Sequence, residues 1–375
     1  MTKDVIIVGG GVIGCSIALK LARAGLKVAI IERGRIGCEA SRAAAGMLSP
    51  QTEAPGPGPF LDLCLRSRAM HRGFADLLAE LSGIDVEYKD AGTLSIALDG
   101  EDEDDMSRWS SWQSSAGLGI EDLTADAISR IEPAVTRLAT RAIYIPEDHQ
   151  VENRRMMDAL DVACRRAGVE IIEGDEVTSI TVERGKVGGV VCGTRRFDAG
   201  TVVIAAGCWS SRLLEPLGLN ITITPARGQM IALGGPPASI NRTLHSSKCY
   251  LVPRNDGRIL VGATVEYVGF RKANTAGGVN SLLASAIEIM PSLQSCEVVA
   301  TWSGLRPDTS DHLPVIGPSG VDNLLLATGH FRNGILLAPV TAELIAERII
   351  KGRDREELKP FSFERFEKMS AVSGP

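Results

Sequence analysis

Asp4-Val-Ile-Ile-Val-Gly-Gly-Gly-Val-Ile-Gly-Cys-Ser-Ile-Ala-Leu-Lys-Leu-Ala-Arg-Ala-Gly-Leu-Lys-Val-Ala-Ile-Ile-Glu32 decides the fold. Val5–Val8 is an unbroken β-branched run, as a parallel strand buried on both faces requires, and the glycines begin where it stops. Gly9, Gly11 and Gly14 fit G-x-G-x-x-G. The first glycine permits the turn, the second lets backbone approach a pyrophosphate, and the third allows close helix–strand packing. Val12–Ala24 carries apolar residues at helical spacing, so the helix amino terminus offers free N–H groups and a positive dipole end to a diphosphate. Gly25 ends that helix. Lys27–Ile31 reads as the second strand, and Glu32 at its end is placed to accept both hydroxyls of an adenosine ribose. A bare glycine pattern is common in unrelated loops. Strand, turn, amphipathic helix and acid together mark an adenine dinucleotide site.

After Glu32, a nicotinamide-type domain continues with a helix and a third parallel strand. Here the chain instead enters the small-residue segment Gly37–Leu48, which suits backbone threading beside a large flat cofactor, although packing alone also explains small residues there. Pro55-Gly-Pro-Gly-Pro59 breaks regular structure, and Leu61–Leu81 beyond it has helical spacing. Gly92–Leu98 reads as a strand. Glu101–Asp105 reads as a solvated turn opening a polar helix rather than a metal-binding cluster.

With 375 residues, 44% apolar and 23% charged, the chain is long enough for two soluble domains. Its net charge of -6 and pI near 5.6 give no electrostatic reason to expect nucleic acid or an anionic membrane as partner. The eight cysteines form no C-x-x-C, so reduced thiols are expected, and the five histidines, at 71, 149, 245, 312 and 330, are too dispersed for a metal site. Four apolar residues run straight into the glycine turn, unlike a signal peptide, and no segment has the length of a membrane span. A cytoplasmic protein is expected.

Further along, Asn153–Ala167 reads as a helix ended by Gly168, followed by strands at 169–172, 177–182 and 187–191. Thr201–Gly207 is another apolar strand ending in small residues, with a helix from Cys208. It brings a second glycine turn to the same edge of the sheet as the first. From Pro225, extended segments at 229–233, 250–253, 259–266 and 297–303 predict a mostly antiparallel sheet, interrupted by a helix around 277–290. Leu324–Ala327 reads as a buried strand, Gly334–Ile350 as a long amphipathic helix, and the charged tail 351–375 as peripheral. No internal repeat appears.

Six segments then stand in a telling order: Gly9-Gly-Gly-Val-Ile-Gly14, Ser41-Arg-Ala-Ala-Ala-Gly-Met-Leu48, Ala205-Ala-Gly-Cys-Trp-Ser210, Tyr250-Leu-Val-Pro-Arg254, Gly304-Leu-Arg-Pro-Asp-Thr309 and Gly329-His-Phe-Arg-Asn-Gly-Ile-Leu-Leu-Ala-Pro339. Together they closely resemble the glycine oxidases of the D-amino-acid oxidase superfamily, from residue 4 to about residue 350. The resemblance implies an α/β plus α+β fold, in which a Rossmann-like FAD-binding domain, split along the sequence, stands beside a mostly antiparallel-sheet substrate domain. The expected division is 1–85, 151–224 and 304–355 for FAD, 86–150 and 225–303 for substrate, and 356–375 as a peripheral tail.

Residue by residue, the resemblance places Val12 and Ile13 over the diphosphate and Glu32 and Arg33 at the adenosine ribose. Ala40, Ser41, Ala45, Gly46 and Met47 would lie along pyrophosphate and flavin, and Val177 against the adenine. Gly207 belongs to the second turn. His330, Phe331, Arg332, Asn333, Gly334, Ile335 and Leu336 would approach the isoalloxazine. Tyr250, Arg306 and Arg332 match substrate-holding positions. Arg306 offers a planar fork for an α-carboxylate, and the Tyr250 hydroxyl a further donor. Arg332 equally suits a role in organising its loop. The dipole of the helix beginning near Gly334 would favour negative charge on the flavin N1–C2=O edge, though a plain helix start explains that glycine as well.

The activity implied is oxidation of glycine or another small amine, such as sarcosine or a small D-amino acid, by hydride transfer from Cα to flavin N5. An oxo acid such as glyoxylate, ammonia and hydrogen peroxide result, with no protein acid or base required. A role in making the thiazole of thiamine and a homotetrameric assembly are implied in the same way. Val265 stands where relatives often carry methionine, and Asn153 and Arg154 lie in a variable stretch, which leaves the substrate range open. No cysteine lies between Gly304 and Asn333, so FAD is expected to be non-covalent. The alternatives are a D-amino-acid dehydrogenase passing electrons to a quinone or carrier, a flavin-binding protein without catalysis, and, less in keeping with the chain after Glu32, a nicotinamide dehydrogenase.

Overall fold

The computed structural model describes residues 2–235, 239–353 and 355–366. Lys3–Val8 is the central strand of the first sheet because it is buried from both sides, Val5, Ile6 and Ile7 having no exposed surface. It pairs in parallel with Val28–Glu32 on one side and Arg195–Ile204 on the other. Glu170–Glu173 and Leu324–Thr328 extend the parallel sheet outward, and Val315–Pro318 adds an antiparallel edge. The strand that normally follows the second one in sequence is thus delivered by residue 170, after a long excursion.

That excursion supplies three strands of the second sheet, and a later one, between Ile223 and Thr309, supplies the other five. The order of this sheet is Glu297–Thr309, Ile223–Gly234, Ile259–Gly262, Tyr250–Pro253, Thr243–His245, Thr93–Ala97, Arg141–Ile145 and Glu121–Thr124, antiparallel except where Thr243–His245 meets Thr93–Ala97. Glu297–Thr309 runs past residue 303, where the substrate segment was expected to end, because it pairs with Ile223–Gly234 along its whole length. A two-stranded ribbon, Met47–Leu48 with His149–Gln150, ties the small-residue segment to the entrance of the second sheet.

Helices Val12–Arg23, Pro59–Ser82, Asn153–Arg166 and Gly334–Lys351 supply the core on one face of the first sheet. The acidic stretch opens helix Gly100–Ser115, where Asp99 Oδ1 accepts the Asp102 N–H at 2.9 Å as a helix cap. Beyond residue 355 the chain departs from its expected peripheral course. A short 3-10 turn, Glu356–Phe361, leads to Phe361, Phe363 and Phe366, all buried, since three rings within six residues gain more from the core than the neighbouring charges lose. Residues 367–375 of that tail lie outside the described residues. Among the described residues, no helix is long and apolar enough to cross a membrane.

One buried carboxyl sits beside the ribbon. Asp148 is fully enclosed; Thr52 donates to its Oδ2 at 2.9 Å, while Oδ1 has no hydrogen-bond partner among the described residues. Burial pushes its pKa up to about 7, against the hydrogen bond from Thr52. In the unfolded chain the group ionises near 4, so between about pH 4 and 7 only the folded state keeps the proton. Its contribution to stability therefore declines as pH rises through that window and is flat above it. Asp148→Asn removes the decline: the melting temperature of the variant minus that of wild type is expected to be larger at pH 8 than at pH 5. An equal difference at both pH values contradicts this assignment.

Candidate active site

Both glycine turns lie at the carboxyl ends of adjacent parallel strands, the crevice where α/β sheets bind ligands. Gly9 has φ +108°, and a Cβ there would stand 2.5 Å from the Ala205 carbonyl oxygen of the second turn. A Cβ on Gly14 would run into the Gly9 carbonyl. Gly11 has only the Ser41 hydroxyl within 3.4 Å of such a position, so its backbone faces open space. No side chain of Gly11 can cap helix Val12–Arg23, and the Val12 N–H is taken by Ser41 Oγ at 2.9 Å.

From these turns a cavity of about 530 Å³ runs to the face of the second sheet. Glu32 lies at its far end, nine-tenths buried, with Oε2 accepting the Gly10 N–H at 2.7 Å and Oε1 the Gly34 N–H at 2.8 Å. The sequence reading assigned it only to a ribose; in the structure it also ties the turn to the second strand. Arg33 pairs with Glu39 and lies 3.5 Å over the Trp209 ring, a residue the glycine pattern did not single out. Val177 lines the same end.

The middle is lined by Ala40, Ser41, Ala45, Gly46 and Met47. Gly46 has φ +74°, and any Cβ would collide with the Val151 carbonyl, whose residue in turn donates its N–H to Gly46 O at 2.9 Å. Asn153 Nδ2 donates to Ser41 O at 2.8 Å. Arg254, which closes the Tyr-Leu-Val-Pro-Arg segment, is buried and donates to Ala45 O at 2.6 Å and Val151 O at 3.1 Å. Small residues here are therefore held from behind by a hydrogen-bonded bracket.

At the sheet end, Tyr250 and Arg306 come together from different strands. Burial raises the Tyr250 hydroxyl above the usual phenol range, and the Arg306 cation beside it works in the opposite sense. Arg306 Nη1 donates to Thr264 O at 3.0 Å, and a Cβ on Gly228 would stand 2.5 Å from the guanidinium carbon. The loop carrying Thr264 is fixed in turn: Arg227 grips Glu266 with bonds of 2.9 and 3.0 Å, and Thr264 Oγ1 donates to the same carboxylate at 2.9 Å. The Arg227 bonds, ahead of those from Gln229 and Thr264, hold the Glu266 pKa down to about 2. Such a shell keeps the Arg306 fork aimed.

Arg332 also lines the cavity, but its Nε and Nη2 reach Glu53 Oε2 at 2.8 and 2.7 Å. His330, Phe331, Asn333, Gly334 and Ile335 line the cavity as well. The His330 ring turns into the protein, with Nε2 3.0 Å from Thr341 Oγ1, and Phe331 stacks on His312. Asn333 gives no side-chain cap to helix Gly334–Lys351, which leaves the amino terminus open toward the cavity. Two expected residues do not line it. Gly14 supports the turn from behind, and Leu336 packs against helix Pro59–Ser82, its carbonyl oxygen bonded to the Ser67 hydroxyl at 2.6 Å. Glu53, Gly207, Met230, His245 and Val265 also line the cavity.

A dinucleotide crevice continuous with a pocket on an antiparallel sheet, lined by Tyr250 and Arg306, is the architecture of a flavin-dependent oxidoreductase. The family model described as FAD dependent oxidoreductase matches residues 4–348, and the chain belongs to that family. It is 38% identical to a glycine oxidase of Geobacillus kaustophilus, over 96% of this chain and 97% of that one. A crystal structure of glycine oxidase from the same organism superposes with a TM-score of 0.93, at 36% identity, covering 96% of this chain and 98% of that one. A bifunctional protein ThiO/ThiG of Synechocystis is 38% identical over 97% of this chain, which spans only 54% of that protein. The chain thus covers about half the length of its bifunctional relatives. FAD is the cofactor, and the crevice fits it: three positions exclude a Cβ, small residues flank the path, and two helix amino termini face it.

Proposed function

We propose that the chain oxidises glycine and other small primary or secondary amines, including sarcosine and small D-amino acids, with oxygen and water, to an oxo acid, hydrogen peroxide and the released amine, which is ammonia from a primary substrate and methylamine from sarcosine. The observation that carries this reading is the Arg306 guanidinium, braced by the Thr264 loop and set beside Tyr250, inside the cavity that begins at the glycine turn. Its fork suits one α-carboxylate, with the Tyr250 hydroxyl as a further donor. When bound, FAD supplies the two-electron acceptor for the substrate Cα–H and passes the electrons to oxygen.

The chain's own part is binding and placement. Gly9, Gly11, Val12 and Ile13 hold the diphosphate, Glu32, Arg33 and Val177 the adenosine, and Ala40, Ser41, Ala45, Gly46, Met47, Gly207, His330, Phe331, Asn333, Gly334 and Ile335 the remainder of a non-covalently held FAD, while Arg332 stands at the substrate end. The amino terminus at Gly334 favours negative charge near it. Among the described residues no acid or base of the chain is assigned a proton. His245 on the cavity wall is kept neutral by burial, which lowers its pKa to about 4. The division into FAD segments (1–85, 151–224, 304–355) and substrate segments (86–150, 225–303) belongs to this reading and is supported by which sheet most strands join. So do a homotetramer, a cytoplasmic location and a role in making the thiazole of thiamine; the bifunctional ThiO/ThiG relatives support the last. Mixing the holoenzyme anaerobically with glycine, sarcosine and small D-amino acids tests the whole. At least one bleaches the flavin on this account, and failure of all of them overturns it.

A further inference from the structure

The cations lining the cavity differ in what already holds them. Arg33 is paired with Glu39, Lys248 with Glu288 at 3.1 Å, and Arg212 lies over the Phe270 ring. Arg332 gives both Nε and Nη2 to Glu53. Arg306 bonds a backbone carbonyl and has no carboxylate partner among the described residues. Glu53 and Arg332 line the same cavity as Tyr250 and Arg306, and both charges act on the Tyr250 hydroxyl, in opposite senses. The Arg332 side chain is 41% exposed, and Glu53 is its carboxylate partner.

We infer that Glu53 sets the charge class of the substrate. By occupying Arg332 it leaves one guanidinium for one carboxylate, so that small monocarboxylate amines are taken and amines bearing a second carboxylate are refused. A second carboxylate entering beside Arg332 meets like charge from Glu53 and must displace an ion pair already formed, whereas without Glu53 it meets a fork suited to it. The position carries no sequence signal of its own. Glu53 ends the four-residue helix Pro50–Glu53, and its partner lies 279 residues away.

The inference rests on the substrate reading above, and the experiment separates the two. Holoenzymes of wild type, Glu53→Gln and Glu53→Gln/Arg332→Met are titrated by calorimetry with glycolate, which has one carboxylate, and tartronate, which has two; the visible flavin spectrum is a second readout. The affinity for tartronate relative to glycolate is expected to rise at least tenfold in Glu53→Gln and to return to the wild-type ratio in the double variant. Glu53→Ala, which leaves no amide behind, is expected to repeat the gain. A ratio within twofold of wild type in both single variants overturns the proposal, as does a gain that survives loss of Arg332. Absence of any glycolate binding to the wild-type enzyme overturns the substrate reading and the proposal with it.

Discussion

Replacing Arg306 with leucine is expected to lower kcat/KM for glycine by roughly a hundredfold to ten-thousandfold, with flavin content unchanged. The range follows from losing two charge-assisted hydrogen bonds, each contributing about 1.5–3 kcal/mol, at about 1.4 kcal/mol per factor of ten. Arg306→Lys keeps the charge and loses the fork, so it should fall between leucine and wild type. Leucine at this strand position faces space that Gly228 leaves for the guanidinium, and the Arg227–Glu266 bracket does not depend on residue 306. Steady-state rates normalised to bound flavin decide the matter. A loss of less than fivefold would remove Arg306 from the role of carboxylate anchor.

Gly14→Ala should give protein without yellow colour. The added Cβ would run into the Gly9 carbonyl oxygen, and neither backbone can retreat: Gly9 is wedged against Ala205, and Gly14 packs on Ile7 of the central strand. Relief requires the helix to move away from the strand, which opens the diphosphate turn and costs on the order of 1–3 kcal/mol of stability as overpacking in a filled core. Gly56→Ala is the control, since a Cβ there meets nothing within 4 Å. Flavin absorbance per protein and melting temperature are the readouts. A Gly14→Ala protein as yellow and as stable as Gly56→Ala would contradict the reading of the turn.

The parts of the site legible in the sequence were those whose causes are local. Val5–Val8, the glycine spacing and the apolar period of Val12–Ala24 each arise from neighbouring residues, and the structure places them with shifts of a residue or two at the ends. The strand Tyr250–Pro253 was legible for the same reason. What stayed hidden depends on partners far along the chain. The second task of Glu32 stayed hidden because nothing near it announces that the Gly10 and Gly34 N–H groups converge on its carboxylate. That Glu53 already holds Arg332 was hidden too, the two lying 279 residues apart. The parallel pairing of Thr243–His245 with Thr93–Ala97 joins three-residue and five-residue strands across 150 positions, too short and too distant for periodicity to reveal. The tail was misjudged because its charges outnumber its three phenylalanines in sequence, while burial depends on which side chains face inward.

The most direct measurement is stopped-flow reduction of the wild-type holoenzyme by glycine and sarcosine without air, followed by flavin absorbance from acid to alkaline pH. The account predicts bleaching by at least one of them, with the reductive rate divided by the binding constant rising as the substrate ammonium loses its proton, because the chain assigns that proton to no group of its own. Persistent yellow colour with every small amine, or bleaching whose pH profile is flat, would contradict it.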